Sequence, residues 1–146
     1  MPTIQGPTMW TSAASSFAWD GSLRDIVIHD CSADDWPILF SALSELDGTQ
    51  VILPTGRENF WSDPTSVFSE YSGKSIMVRR GGIDLKCDII SPDVIEFDLD
   101  PRQIRDQPSL DTLLQAMRTM SSALSKVVSL TEEGDHNDVL IRVEPS

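Results

Sequence analysis

The chain has 146 residues, with 23 Asp and Glu against 11 Lys and Arg and a formal charge of −12. That length suits one domain whose core needs neither disulfides nor a structural metal, and an apolar fraction of 40% argues against wholesale disorder. The acid excess disfavours partners held mainly through phosphates, nucleic acid and anionic membranes alike, and leaves basic or cation-bearing partners favoured.

Residues 1–17 are rich in Ser, Thr, Ala and Pro and read as a flexible leader before a single domain over 18–146. The leader lacks a basic start and a continuous apolar run, so it makes a poor signal peptide, and no stretch of 18 apolar residues is present to span a membrane. Cys31 and Cys87 stand far apart and form no CxxC pair, which indicates neither a zinc knuckle nor a redox dithiol. A secreted chain would have the means to bridge them. Without a signal peptide, the expectation is a cytoplasmic protein with reduced thiols.

Leu23–Cys31 is β-branched and short, a first strand with Ile26 and Ile28 on one face and Val27 and His29 on the other. In the next segment Trp36, Leu39, Phe40, Leu43 and Leu46 recur at helical spacing. Asp34 stands where it would cap this helix, Pro37 falls in the first turn and Gly48 stops it. Gln50–Leu53 is a short strand, and Asp63-Pro64 opens a short helix that Gly73 ends. Ser75–Arg80 and Ile83–Ile90 flank Gly81-Gly82, the turn chemistry of a hairpin. Ile95, Phe97 and Leu99 alternate with Glu96, Asp98 and Asp100 in a third arm, completing a meander. Ser109–Lys126 carries a leucine and methionine stripe and is the clearest helix, while Val127–Leu130 and Val139–Val143 close the chain around a polar loop, Thr131–Asn137. The expected fold is α+β: a mostly antiparallel sheet with a three-strand meander and about three helices on one face.

Glu96, Asp98 and Asp100 share a strand face and have the chemistry to hold Mg²⁺ or Ca²⁺, but the wet face of an amphipathic strand explains them more simply. His29, Asp30 and Cys31 are adjacent and alternate in direction, so they do not converge on one ion. Cys31, with His29 or His136 as base, is the better of two weak nucleophile candidates. The Gly81-Gly82 pair beside Arg79 and Arg80 is a turn rather than a phosphate loop, and GxSxG, HExxH and GxGxxG are all absent. No catalytic residue, metal or cofactor is assigned on these grounds.

Residues 1–73 hold ten acids and two bases, whereas residues 74–146 hold 13 acids and nine bases. Trp19, Trp36 and Trp61 also lie in the acidic half. Acids interleaved with edge aromatics suit a protein hot spot for a basic partner. The partner-binding residues expected on this basis are Asp34, Asp35, Glu58, Trp61, Asp63 and Glu70.

The segments Trp19-Asp20-Gly21-Ser22-Leu23-Arg24-Asp25-Ile26, Asp35-Trp36 and Ile95-Glu96-Phe97-Asp98-Leu99-Asp100-Pro101 resemble a group of small bacterial proteins of unassigned function, over most of the chain after the leader. That resemblance implies no chemistry. In size, charge and fold class the chain is also similar to immunity proteins that neutralise bacterial toxins, which implies a non-enzymatic inhibitor occluding the basic active site of a toxin domain. Two rivals remain: a small metal-binding or catalytic protein using the Glu96/Asp98/Asp100 face, and a subunit of a larger assembly.

Overall fold

Strands whose odd and even side chains differ in polarity build one sheet with an oily face and a wet one. The computed structural model describes residues 9–54 and 60–145, together with the backbone of 3–4. Its strands are β1 (Thr3–Ile4), β2 (Arg24–Ile28), β3 (Thr49–Ile52), β4 (Ser75–Arg80), β5 (Ile83–Asp88), β6 (Ile95–Leu99), β7 (Val128–Glu132) and β8 (Asp135–Val143). They form a single sheet in the order β1-β8-β7-β2-β6-β5-β4-β3. Every pairing is antiparallel except β1 with β8. The helices are α1 (Trp10–Ala13), α2 (Asp35–Glu45), α3 (Pro64–Glu70) and α4 (Gln107–Leu124).

Ile26 and Ile28 of β2, Ile95, Phe97 and Leu99 of β6, Leu85 and Cys87 of β5, and Leu130 of β7 make the oily face, all buried. Helices α2 and α4 pack on each other and bring Trp36, Leu39, Phe40, Leu43, Leu110, Leu114 and Met117 onto the core side. This is the expected α+β domain with its meander over β4, β5 and β6. The α4 N-terminus has a capping box: the Asp106 carboxylate accepts from Ser109 N–H at 3.0 Å, and Ser109 Oγ accepts from Asp106 N–H at 3.2 Å.

Three local expectations differ from the structure. Asp34 makes no side-chain cap; Asp35 instead accepts a hydrogen bond from Ser32 N–H at 2.9 Å, closing the turn that starts α2. The leader is ordered over its second half, because Ala13 and Phe17 offer apolar side chains that bury in the core and Trp10 N–H donates to Gln107 Oε1 at 2.7 Å. Residues 1, 2 and 5–8 of it lie outside the described residues. The closing loop shrinks to Glu133-Gly134, since β7 runs to Glu132 and β8 begins at Asp135.

Both glycines of the β4–β5 turn have positive φ, 53° for Gly81 and 84° for Gly82. A Cβ on Gly81 would also meet Thr112 Cγ2 of α4 at 3.3 Å, while one on Gly82 meets nothing. Gly81→Ala is therefore expected to cost about 1–2 kcal/mol from left-handed strain, and more than Gly82→Ala, as read by urea denaturation of the two variants. Equal midpoints would show that the turn does not press on α4.

Candidate functional site

The sequence places its partner residues in the acidic half, and the structure gathers most of them in the α2–α3 layer. Trp36 of α2 meets Phe68 of α3 edge-on with ring centroids 5.0 Å apart, so the start of α2 lies beside the second half of α3. Asp34 is exposed just before α2, with Asp35 half-buried behind it. Asp63 and Glu70 are exposed at the two ends of α3. Ile38, 50% exposed, adds an apolar side chain on the outer surface of α2.

Trp61 occupies a different position from the free edge aromatic expected. It is half-buried, stacks on Phe40 at 6.0 Å with the rings 9° apart, and meets Phe60 edge-on at 4.6 Å. With Phe40, Val51 and Leu53 it lines a shallow pocket of about 280 Å³. Glu58 lies outside the described residues. Trp19, 49% exposed, carries the Arg102 guanidinium over its ring at 4.0 Å, and Arg102 is held in turn by Asp100 at 2.8 Å.

That ion pair divides the Glu96, Asp98 and Asp100 set. Asp100 accepts from Arg102 N–H at 2.9 Å and starts a short 3-10 turn, which together with the guanidinium holds its carboxyl below the ordinary carboxylate range. Glu96 and Asp98 do share the wet face of β6, and there they meet residues from two other strands. Asp25 of β2 pairs across from Asp98. His136 of β8 reaches over the same face, its Nε2 in hydrogen-bond contact with Glu96 Oε1 and 3.6 Å from Asp25 Oδ2. The β7–β8 ladder carries register shifts at Leu130/Thr131 and Thr131/Glu132, irregularities that strengthen local twist and turn the hairpin tip toward β2. Gly134 N–H then donates to Asp25 Oδ2 at 2.9 Å and fixes the tip in place.

Asp25, Glu96 and His136 present ligand atoms that all lie within 4.8 Å of one another. Asp25 is 4% exposed. Burial raises its pKa, and the Glu96 carboxylate raises it further. Burial likewise raises Asp98, with the Asp25 charge second. Lys86, which pairs across from Asp98, directs its ammonium to Asp88 at 3.7 Å. His29 lies edge-on to His136 with ring centroids 5.3 Å apart, so both histidines of the chain stand together.

Asp25 carries no role in the sequence reading, and His136 appears there only as a candidate base for Cys31. Alternation along β2 puts Asp25 on the face of Val27 and His29, and that signal was available. His136 required the Glu133-Gly134 turn to be recognised, because in a long polar loop it has no defined direction.

Neither thiol is poised for nucleophilic work. Burial pushes Cys31 up to about 11, and its Sγ donates to the carbonyls of Ile28 and His29 at 3.5 and 3.7 Å. Cys87 is buried in the core and pushed up much further. Among the described residues no helix is long and apolar enough to cross a membrane. No protein family, curated protein or solved structure matches the chain.

Proposed function

We propose that this chain is a non-enzymatic binding protein of the cytoplasm that meets a basic protein surface through its α2–α3 layer. In the manner of an immunity protein, it occludes the basic active site of a cognate toxin. One observation carries the reading. The described residues of 30–73 hold seven acids and neither Lys nor Arg, and Asp34, Asp63, Glu70 and the apolar Ile38 are exposed on or beside adjoining helices. Such a field raises the encounter rate with a cationic surface and repels phosphate polymers. Ile38 and the outer edge of Trp61 supply the apolar contact that a lasting complex needs beyond charge.

The test is capture from the source organism, or co-expression with the product of the neighbouring reading frame, followed by affinity measurement against that partner. The double variant Asp34→Lys, Asp63→Lys, at positions whose side chains make no cap, is expected to keep its circular dichroism spectrum and bind about 10- to 100-fold more weakly at low salt. The difference should shrink as salt screens exposed charge. Unchanged affinity and unchanged salt dependence would overturn the assignment of this surface.

A further inference from the structure

The wet face of the sheet lies opposite the α2–α3 layer and has no part in the reading above. We propose that Asp25, Glu96 and His136 form a binding site for a divalent transition-metal cation of the zinc class, with water completing the coordination.

The three donors come from three strands that are distant in sequence, β2, β6 and β8, and the tip of the β7–β8 hairpin is bent and pinned so that the imidazole arrives over the two carboxylates. Bonds to zinc from oxygen and nitrogen run about 2.0–2.2 Å, so donors around one ion lie roughly 3–3.5 Å from each other. Here Nε2 already touches Glu96 and stands 3.6 Å from Asp25, and the widest separation is within 4.8 Å. The Glu96 side chain is 41% exposed and His136 30%, which leaves both free to close the remaining gap by rotation and leaves a side open for water.

A plain ion pair accounts for less of this arrangement. A single imidazolium would balance one carboxylate, whereas Asp25, Glu96 and Asp98 share the face. Lys86 is engaged with Asp88, and among the described residues no Lys or Arg lies within 4.0 Å of Asp25 or Glu96. A dication supplies the missing charge. The second histidine is an independent pointer: His29 packs edge-on against His136 beside the cluster, adding another imidazole at its border. An imidazole among three donors selects the zinc class over Ca²⁺ and Mg²⁺, which take oxygen.

Titration of the full chain with Zn²⁺ by calorimetry, and with Co²⁺ by visible absorption, tests the proposal at neutral pH. The expected result is one cation per chain, a Co²⁺ absorption band, and weaker binding of Ca²⁺ and Mg²⁺. Asp25→Asn, Glu96→Gln and His136→Gln should each weaken Zn²⁺ by more than about 100-fold, beyond the loss typical of an outer-shell partner. Asp84→Asn, whose ion pair with Arg79 is outside the site, should leave it unchanged. Because the wild-type titration stands alone, a variant that fails to fold does not spoil the test. Absence of Zn²⁺ and Co²⁺ binding at millimolar ion, preference for Ca²⁺ or Mg²⁺, or undiminished binding in the folded single variants would each overturn it.

Discussion

Trp36→Ala is expected to destabilise the domain by about 3–5 kcal/mol, the range for emptying a large aromatic from a core. Trp36 is fully buried, its ring lies 6.0 Å from Phe40 and 5.0 Å from Phe68, and its Nε1–H donates to Pro92 O at 3.1 Å. One side chain therefore joins α2, α3 and the turn before β6. Total stabilities of about 5–15 kcal/mol are usual for single domains, so the variant should lose a large share of its stability. Trp36→Phe refills part of the space and loses only the Pro92 hydrogen bond and some contact area, so its urea midpoint should fall between alanine and wild type. A Trp36→Ala midpoint equal to wild type would mean that this junction does not hold the helices to the sheet.

Arg24→Met should be nearly as damaging, at about 3 kcal/mol, because several charge-assisted hydrogen bonds of roughly 1.5–3 kcal/mol each vanish against the gain of an apolar side chain. The Arg24 side chain is 2% exposed. Its guanidinium donates to the carbonyls of Ser16 at 2.9 Å, Ala18 at 2.8 Å, and Ser22 and Leu23 at 3.1 Å, and pairs with Asp20 at 3.2 Å. Those acceptors lie on the chain that leads from α1 into β2. The loss should therefore be local as well as global: amide exchange at 10–18 should accelerate far more than in α4. Lysine keeps the charge but not the planar fork, so Arg24→Lys should recover only part of the protection. Equal protection of 10–18 in Arg24→Met and wild type would refute the role.

The Arg24 network lies where two segments distant in the sequence meet in the fold. Strands β2 and β6 are sheet neighbours, with Arg24 opposite Leu99, Asp25 opposite Asp98 and Ile26 opposite Phe97. Asp100 and Arg102, at the end of one segment, close over Trp19 at the start of the other. What looks like two motifs along the chain is one junction in space, and most of its residues hold the fold.

The meander and α4 were readable because their signals are local: strict alternation, a Gly-Gly turn and a helical stripe each need only neighbours in sequence. The same is true of α2, although its cap was assigned to Asp34 when the turn is closed by Asp35. The order of 10–17 leaves little mark in the sequence because its apolar residues are sparse, and the carbonyls of Ser16 and Ala18 find their donor only in the tertiary fold, in Arg24. The Asp25, Glu96 and His136 cluster needed the order of β2 between β6 and β7 and a twisted hairpin, neither of which leaves a mark at fixed spacing. Part of it was visible nonetheless, in the carboxylates of the wet face of β6.

The sheet ends on β3, only four residues long, with Pro54 two residues beyond it. A free edge this short offers few backbone groups to a second strand, and proline soon removes the next donor. At the opposite end, β1 pairs with Arg142 and Val143, the last two residues of β8. Edge-to-edge pairing is thus discouraged by geometry at the β3 edge, and at both edges by the repulsion between copies that each carry a charge of −12. The same charge that favours a basic partner at the acidic helical surface thereby keeps like copies apart.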